Sequence, residues 1–272
     1  MWIILSIILL GLMAFVGGDR GIKSFITLVL NIAFIGISIY AMLLGINPLI
    51  VLVIDIIIFT QITLLYQNGH SLKTYSAVIS VIIVTVVLGI GLFSIINSSK
   101  IYGYSELELT SDLVTYFSPN ITINMAEIMI VTVIIGLLGA IMDTAMAITS
   151  AIYEFYRIDN NLSIKQLMKS GFNVGKDILG TTVNTIFFAS LGDALMVMIL
   201  FVNFNYTLQN LINSKEFVRT LIMMVVAALG CIIVIPISIA VIIYMLKEDS
   251  RIIRLIKLRI EKKNLELGGN EQ

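Results

Sequence analysis

Residues 124–151 read NMAEIMIVTVIIGLLGAIMDTAMAITSA. This 28-residue run contains no proline, and its only charged residues are Glu127 and Asp143. Its apolar residues do not alternate at period two, so it does not read as a strand. As a helix rising about 1.5 Å per residue it is about 42 Å long, more than enough to cross a hydrocarbon core of roughly 30 Å. Six further runs of the same character flank it: residues 2–17, 24–44, 48–66, 75–97, 174–202 and 218–246. The breakers fall between them. Gly45-Ile46-Asn47-Pro48 separates the second run from the third, and Gln67-Asn68-Gly69-His70 closes the third. Pro236 sits inside the last run and predicts a kink. The predicted fold is therefore all-α, a polytopic transmembrane bundle of about seven spans, with residues 1–246 forming the membrane domain and 247–272 a basic cytoplasmic tail.

Composition agrees. Of 272 residues, 58% are hydrophobic and 12% charged, about half the charge of a water-soluble domain. That excludes soluble, disordered and disulfide-rich classes. Lys plus Arg and Asp plus Glu are both 17, so net charge carries no message about nucleic acid. Cys231 has no second cysteine to pair with, and His70 lacks the company a metal site needs. No basic residue precedes the first apolar run, whereas Arg20 and Lys23 follow it. This is the charge order of an uncleaved helix rather than a signal peptide.

Orientation follows from the basic residues, which concentrate in cytoplasmic loops. With the N-terminus outside, 14 of the 17 fall inside, among them Arg20, Lys23, Lys73, Arg157 and the tail, leaving Lys100, Lys215 and Arg219 outside. The opposite orientation reverses that ratio, so the chain reads as N-out and C-in. The long outer loop 98–123 carries Tyr102, Tyr104, Tyr116 and Phe117, which serve as interfacial anchors or as a docking surface. Segments 163–172 and 250–263 repeat apolar residues at helical spacing beside basic ones. Each reads as a helix lying on anionic lipid, the first alternatively as a contact for a separate ATPase.

Polar residues enter the membrane chiefly in the fifth and sixth runs. Gly139, Asp143, Ala147 and Ala151 share one helix face, and so do Asp177, Thr181, Asn184 and Phe188. Small residues such as Gly136, Gly139 and Gly180 permit close helix packing. Asp143 lies about 12 Å and Asn184 about 15 Å from the inner ends of their spans, so the two are expected to meet. No Lys or Arg is expected at the depth of Asp143. An ionised, unpaired carboxylate there costs several kcal/mol. It is therefore protonated, hydrogen-bonded to Thr and Asn, or bound to a cation. Two readings remain: a polar transport path through Asp143, Asp177, Thr181 and Asn184, or a packing device between helices. Asp55, near the middle of the third run, and Asp193, near the outer end of the sixth, pose the same choice. Gly171-Phe-Asn-Val-Gly175-Lys176-Asp177 is one residue short of a phosphate loop and has no preceding strand. No nucleophile–base pair, metal cluster or dinucleotide motif is present, so neither an enzyme nor a cofactor is expected.

The segments Gly139-Ala140-Ile-Met-Asp143, Ser170-Gly171 and Gly175-Lys176-Asp177-Ile-Leu-Gly180-Thr181-Thr-Val-Asn184-Thr185, with Gly69-His-Ser-Leu-Lys73-Thr74, resemble the YibE/F family of bacterial multi-pass membrane proteins. The chain looks like the shorter, YibF-like member of a split pair, because it lacks the extracytoplasmic portion that many members carry. The resemblance implies a bacterial plasma membrane, a permease role of unassigned substrate, and a second YibE/F-type membrane protein as partner besides the lipid bilayer. Asp143, Asp177, Thr181 and Asn184 fall at its signature positions. The alternatives to a transport component are a non-transporting scaffold subunit and a permease subunit driven by a separate ATPase.

Overall fold

A computed structural model describes residues 1–99, 102–103, 124–203 and 207–247. The outer loop beyond Gly103, the tail segment 250–263 and the side chain of Asp193 lie outside the described residues. Among those described, all regular structure is helical: α1 (Trp2–Leu43), α2 (Pro48–Thr60) continued by a π-helical segment (Gln61–Tyr66), α3 (Leu72–Ser99), α4 (Met125–Ile158), α5 (Ile164–Asn203), α6 (Leu208–Ile212) and α7 (Lys215–Lys247). Five stretches are long and apolar enough to cross a membrane: Ile3–Leu43, Pro48–Tyr66, Leu72–Ser98, Met125–Ile158 and Lys215–Lys247. The first two expected spans both lie in Ile3–Leu43. The sixth expected span lies in α5, which is not among the five and carries Lys165, Lys169, Lys176 and Asp177 in its first half.

Ile3–Leu43 is not one straight rod. The backbone breaks direction at Gly18, with φ 54° and ψ −137°, a conformation that side-chained residues rarely adopt. Residues eight apart in a straight helix lie about 12 Å apart. Here a Cβ built on Gly21 would fall 1.8 Å from the Met13 carbonyl oxygen, so the chain turns back on itself between them. The helix starts and stops are chemically ordinary. The Asn47 side chain accepts from Leu49 N–H ahead of Pro48, and Asn124 accepts from Ala126 N–H at the head of α4. α7 continues through Pro236.

The core is the junction of α3, α4 and α7. Val84, Leu88 and Leu92 meet Ile134, Leu138 and Ile141 with Val226 and Val234, all buried. Gly230 makes that approach possible, since a Cβ there would lie 2.9 Å from Ile141 Cδ1 and 3.0 Å from Leu88 Cδ1. A second cluster joins Ile148 and Ile152 of α4, Leu167 of α5, and Ile235 and Ile239 of α7. Gly171 and Gly175 of α5 sit against this cluster, with Cβ positions 2.8 Å from Ile152 Cδ1 and 2.6 Å from Ile235 Cγ2.

The expectation of a separate surface helix at 163–172 is corrected. These residues begin α5 and run without a break into the rest of it. Leu167 is fully buried in the second cluster while Met168 and Phe172 are exposed. The two glycines dock this end onto α4 and α7, so it belongs to the bundle.

Ends of the bundle segregate by charge. Lys73 pairs with Glu154 at 3.6 Å, Glu154 with Arg157 at 3.8 Å, and Lys247 lies over the Tyr156 ring. At the other end Arg219 pairs with Glu216 and donates to the Gly103 carbonyl at 2.8 Å. The residues that the basic count assigns to opposite sides are thus held at opposite ends.

Candidate functional site

At the end carrying Lys73 lies a cavity of about 430 Å³. Four positions of α4 form one wall: Asp143, Met146, Ala147 and Ser150. Their spacing of three and four puts them on a single face. Opposite stand Thr63, Leu64, Gln67 and Asn68 from the end of α2, Lys73 from the start of α3, and Arg20 just past the Gly18 reversal. Four elements therefore contribute hydroxyls, carboxamides, two cations and a carboxylate.

The surroundings fix some of these groups. Gln67 donates to Ser24 Oγ at 2.8 Å, and Asn31 donates to Thr63 Oγ1 at 3.0 Å, which ties the end of α2 to α1. Lys73 pairs with Glu154 at 3.6 Å and its ammonium lies 5.8 Å from the Tyr153 ring. His70 Nδ1 lies 3.1 Å from Tyr75 Oη and closes the α2–α3 turn. Among the described residues no group of three His, Cys, Asp or Glu side chains is placed to hold a metal.

The expected path residues divide between two surfaces. Asp143 lines the cavity and pairs with no cation among the described residues; Arg20 and Lys73 line the same cavity, a convergence the sequence reading did not give. The cause is the α1 reversal, which returns Arg20 to this end, a placement that counting along a span does not give. None of α5 lines the cavity. α5 faces the core through Gly171, Gly175, Ile178 and Ile186. Asp177, Thr181, Asn184 and Phe188 are exposed about half a turn round, on the side away from the core. Thr181 Oγ1 donates to the Ile178 carbonyl of its own helix. Of the three glycines expected to pack helices, Gly136 has a Cβ position 3.6 Å from Met223 Cε, an ordinary contact, while Gly139 and Gly180 face open space.

The sequence reading missed Arg20, Thr63, Gln67, Asn68, Lys73 and Ser150 as cavity residues, and Gly171, Gly175 and Gly230 as close contacts. For the glycines a signal existed, since Gly171 and Gly175 have the small-xxx-small spacing of close-packed helices. For the cavity it did not, because six separated positions converge only after folding.

An all-helical protein with long lipid-compatible helices around a polar cavity belongs to the class of integral membrane proteins. The sequence pattern of the YibE/F-like protein family matches residues 5–248, most of the 272-residue chain, and the chain belongs to that family. No curated protein and no solved structure shows a match.

Proposed function

We propose that this chain is the multi-pass membrane component of a bacterial plasma-membrane transport system, with the Lys73 end in the cytoplasm and the cavity open to that side. The observation that carries the reading is Asp143 facing a polar cavity in which Arg20, Lys73, Gln67 and Asn68 also stand. Setting such groups among membrane-spanning helices costs free energy unless they face a polar space, and an intramembrane carboxylate on a cavity is the ordinary mark of a substrate or ion path. The groups bind and release; none forms a nucleophile–base pair, so the activity proposed is transport rather than catalysis.

Ser150, at the Glu154 end of the α4 wall, supplies the test. In Ser150→Cys, reconstituted in liposomes, a membrane-impermeant thiol reagent applied at the cytoplasmic face is expected to block solute flux. The native protein resists the same treatment, because Cys231 is buried. A labelled variant that transports unhindered overturns the reading.

A second reading rests on a separate observation, the exposed stripe of Asp177, Thr181 and Asn184. Carboxylate and carboxamide groups turned away from the core of a membrane bundle meet hydrocarbon unless protein covers them. We propose that a second membrane subunit of the same family lies there. A photo-crosslinking amino acid at position 184 is expected to give an adduct of higher mass in native membranes, and monomer alone would remove the subunit from this face.

A further inference from the structure

Asp55 lies on α2, away from the cavity and deep in the bundle, at 2% exposure. Among the described residues no cation pairs with it. Its Oδ1 lies 2.5 Å from Ser38 Oγ of α1, and its Oδ2 has no hydrogen-bond partner. Ser38 Oγ also lies 2.9 Å from the Phe34 carbonyl oxygen. A hydroxyl has a single hydrogen to donate. If Asp55 is ionised, Ser38 donates either to the carboxylate, leaving the Phe34 carbonyl with its helical N–H alone, or to that carbonyl, leaving the buried carboxylate with no donor. If Asp55 carries a proton on Oδ1, it donates to Ser38 Oγ and Ser38 donates to Phe34. Every donor is then used and no net charge is buried, which is the arrangement a low-dielectric interior favours.

Asp55 also stands at the inner end of a polar ladder. Ser24, Asn31 and Ser38 are seven apart on α1 and form one stripe. Across from them stand Gln67, Thr63 and Asp55, joined rung by rung: Gln67 to Ser24, Asn31 to Thr63, and Asp55 to Ser38. Asp55 and Thr63 are eight apart where an α-helical stripe would use seven. The π-helical segment Gln61–Tyr66 absorbs the extra residue and keeps Thr63 and Gln67 turned toward α1. Thr27 Oγ1, between the two outer rungs, and Asn31 Oδ1, on the second of them, are buried without protein partners, and such oxygens are normally satisfied by water. Thr63 and Gln67 line the cavity, so the rungs form a line of separate polar pairs from it toward Asp55 over about 18 Å, the last two about 10 Å apart.

The charged and titratable neighbours lie elsewhere along the helices. On α1, Asp19, Arg20 and Lys23 sit at the reversal, about 22 Å or more from Ser38, and Tyr40 lies beyond it. On α3, Lys73 and Tyr75 are at the cavity end. On α4, Glu127 and Glu154 are near opposite ends, with Tyr153, Tyr156 and Arg157 beside the latter. Asp143 lines the cavity with Thr63, and Thr63 lies about 12 Å along its own helix from Asp55.

We infer that Asp55 is a proton-binding site reached from the cytoplasmic cavity along the side-chain ladder between α1 and α2. It names the proton as the coupling ion for the transport reading and rests on that reading only for its use. Infrared difference spectroscopy on the full chain in lipid tests it without any flux measurement. At neutral pH the native protein is expected to show a carboxylic-acid carbonyl band that Asp55→Asn removes and Asp55→Glu shifts. Asn reproduces the shape of the neutral acid, and the Glu variant guards against a folding artefact. Transfer to heavy water is expected to lower the band frequency, and Asn31→Leu with Thr63→Val to slow that change. A native spectrum unaltered by Asp55→Asn overturns the proposal, as would a band abolished by sodium or potassium, which would mark a metal-cation site. Exchange insensitive to the ladder substitutions overturns the route. A band without any flux in the native protein keeps the proton site and removes the transport reading.

Discussion

Asp143→Asn is expected to reduce solute flux by about tenfold or more while leaving the protein folded. Asn keeps the side chain's size but replaces one accepting oxygen by an amide NH2 that donates, so the charge disappears together with one acceptor. In a cavity walled by protein, an effective dielectric of about 20 makes one charge at 4 Å contribute about 4 kcal/mol, so a binding or gating step that uses the carboxylate weakens by far more than a factor of ten. Stability should barely move, since Asp143 is open to the cavity rather than packed in the core, and such substitutions usually fall within about 0.5 kcal/mol. The direction of any residual effect reports the charge of the solute. Removing Asp143 leaves Arg20 and Lys73 as the nearest fixed charges on the cavity, so residual binding of an anion should tighten and that of a cation should fail. Flux and thermal unfolding of the same reconstituted sample separate the two quantities. Unchanged flux with unchanged unfolding would detach Asp143 from transport.

Gly21→Ala is expected to disrupt the α1 reversal, at a cost of about 3 kcal/mol or more. Overpacking usually costs about 1–3 kcal/mol because a side chain can shift aside. Here the added Cβ meets the Met13 carbonyl oxygen at 1.8 Å and its carbonyl carbon at 2.6 Å. Both atoms belong to the backbone and cannot rotate away, so the two arms of α1 must separate. Arg20 then leaves the cavity and the Ser24–Gln67 rung is lost. Gly17→Ala provides the comparison, since nothing lies within 4 Å of its Cβ position and its effect should be small. Thermal unfolding in detergent and the expressed, membrane-inserted fraction measure both. Equal behaviour of the two variants would mean that the chain does not turn back at this point.

Composition and run length alone determined that the chain is helical and lipid-compatible, because a backbone in hydrocarbon must satisfy its hydrogen bonds within each segment. The sorting of Arg20, Lys73 and Arg157 to one end was also present in the linear order of charges. The packing partners were not. Asp143 and Asn184, which share matching depths in adjacent spans, turn to different surfaces because the glycines that dock α5 are Gly171 and Gly175, and these set its rotation. Asp143 instead lines a cavity that Arg20 and Lys73 also line, brought there by the reversal at Gly18 and the short α2–α3 turn. Asp55 could be seen as a buried acid from its place in an apolar run, but its tie to Ser38 depends on how α1 and α2 pair. Span existence is a local property, summed over consecutive residues. Which faces meet depends on helix rotation, which a single glycine contact or one extra residue in a π turn resets by a large fraction of a turn, so only the tertiary structure decided it.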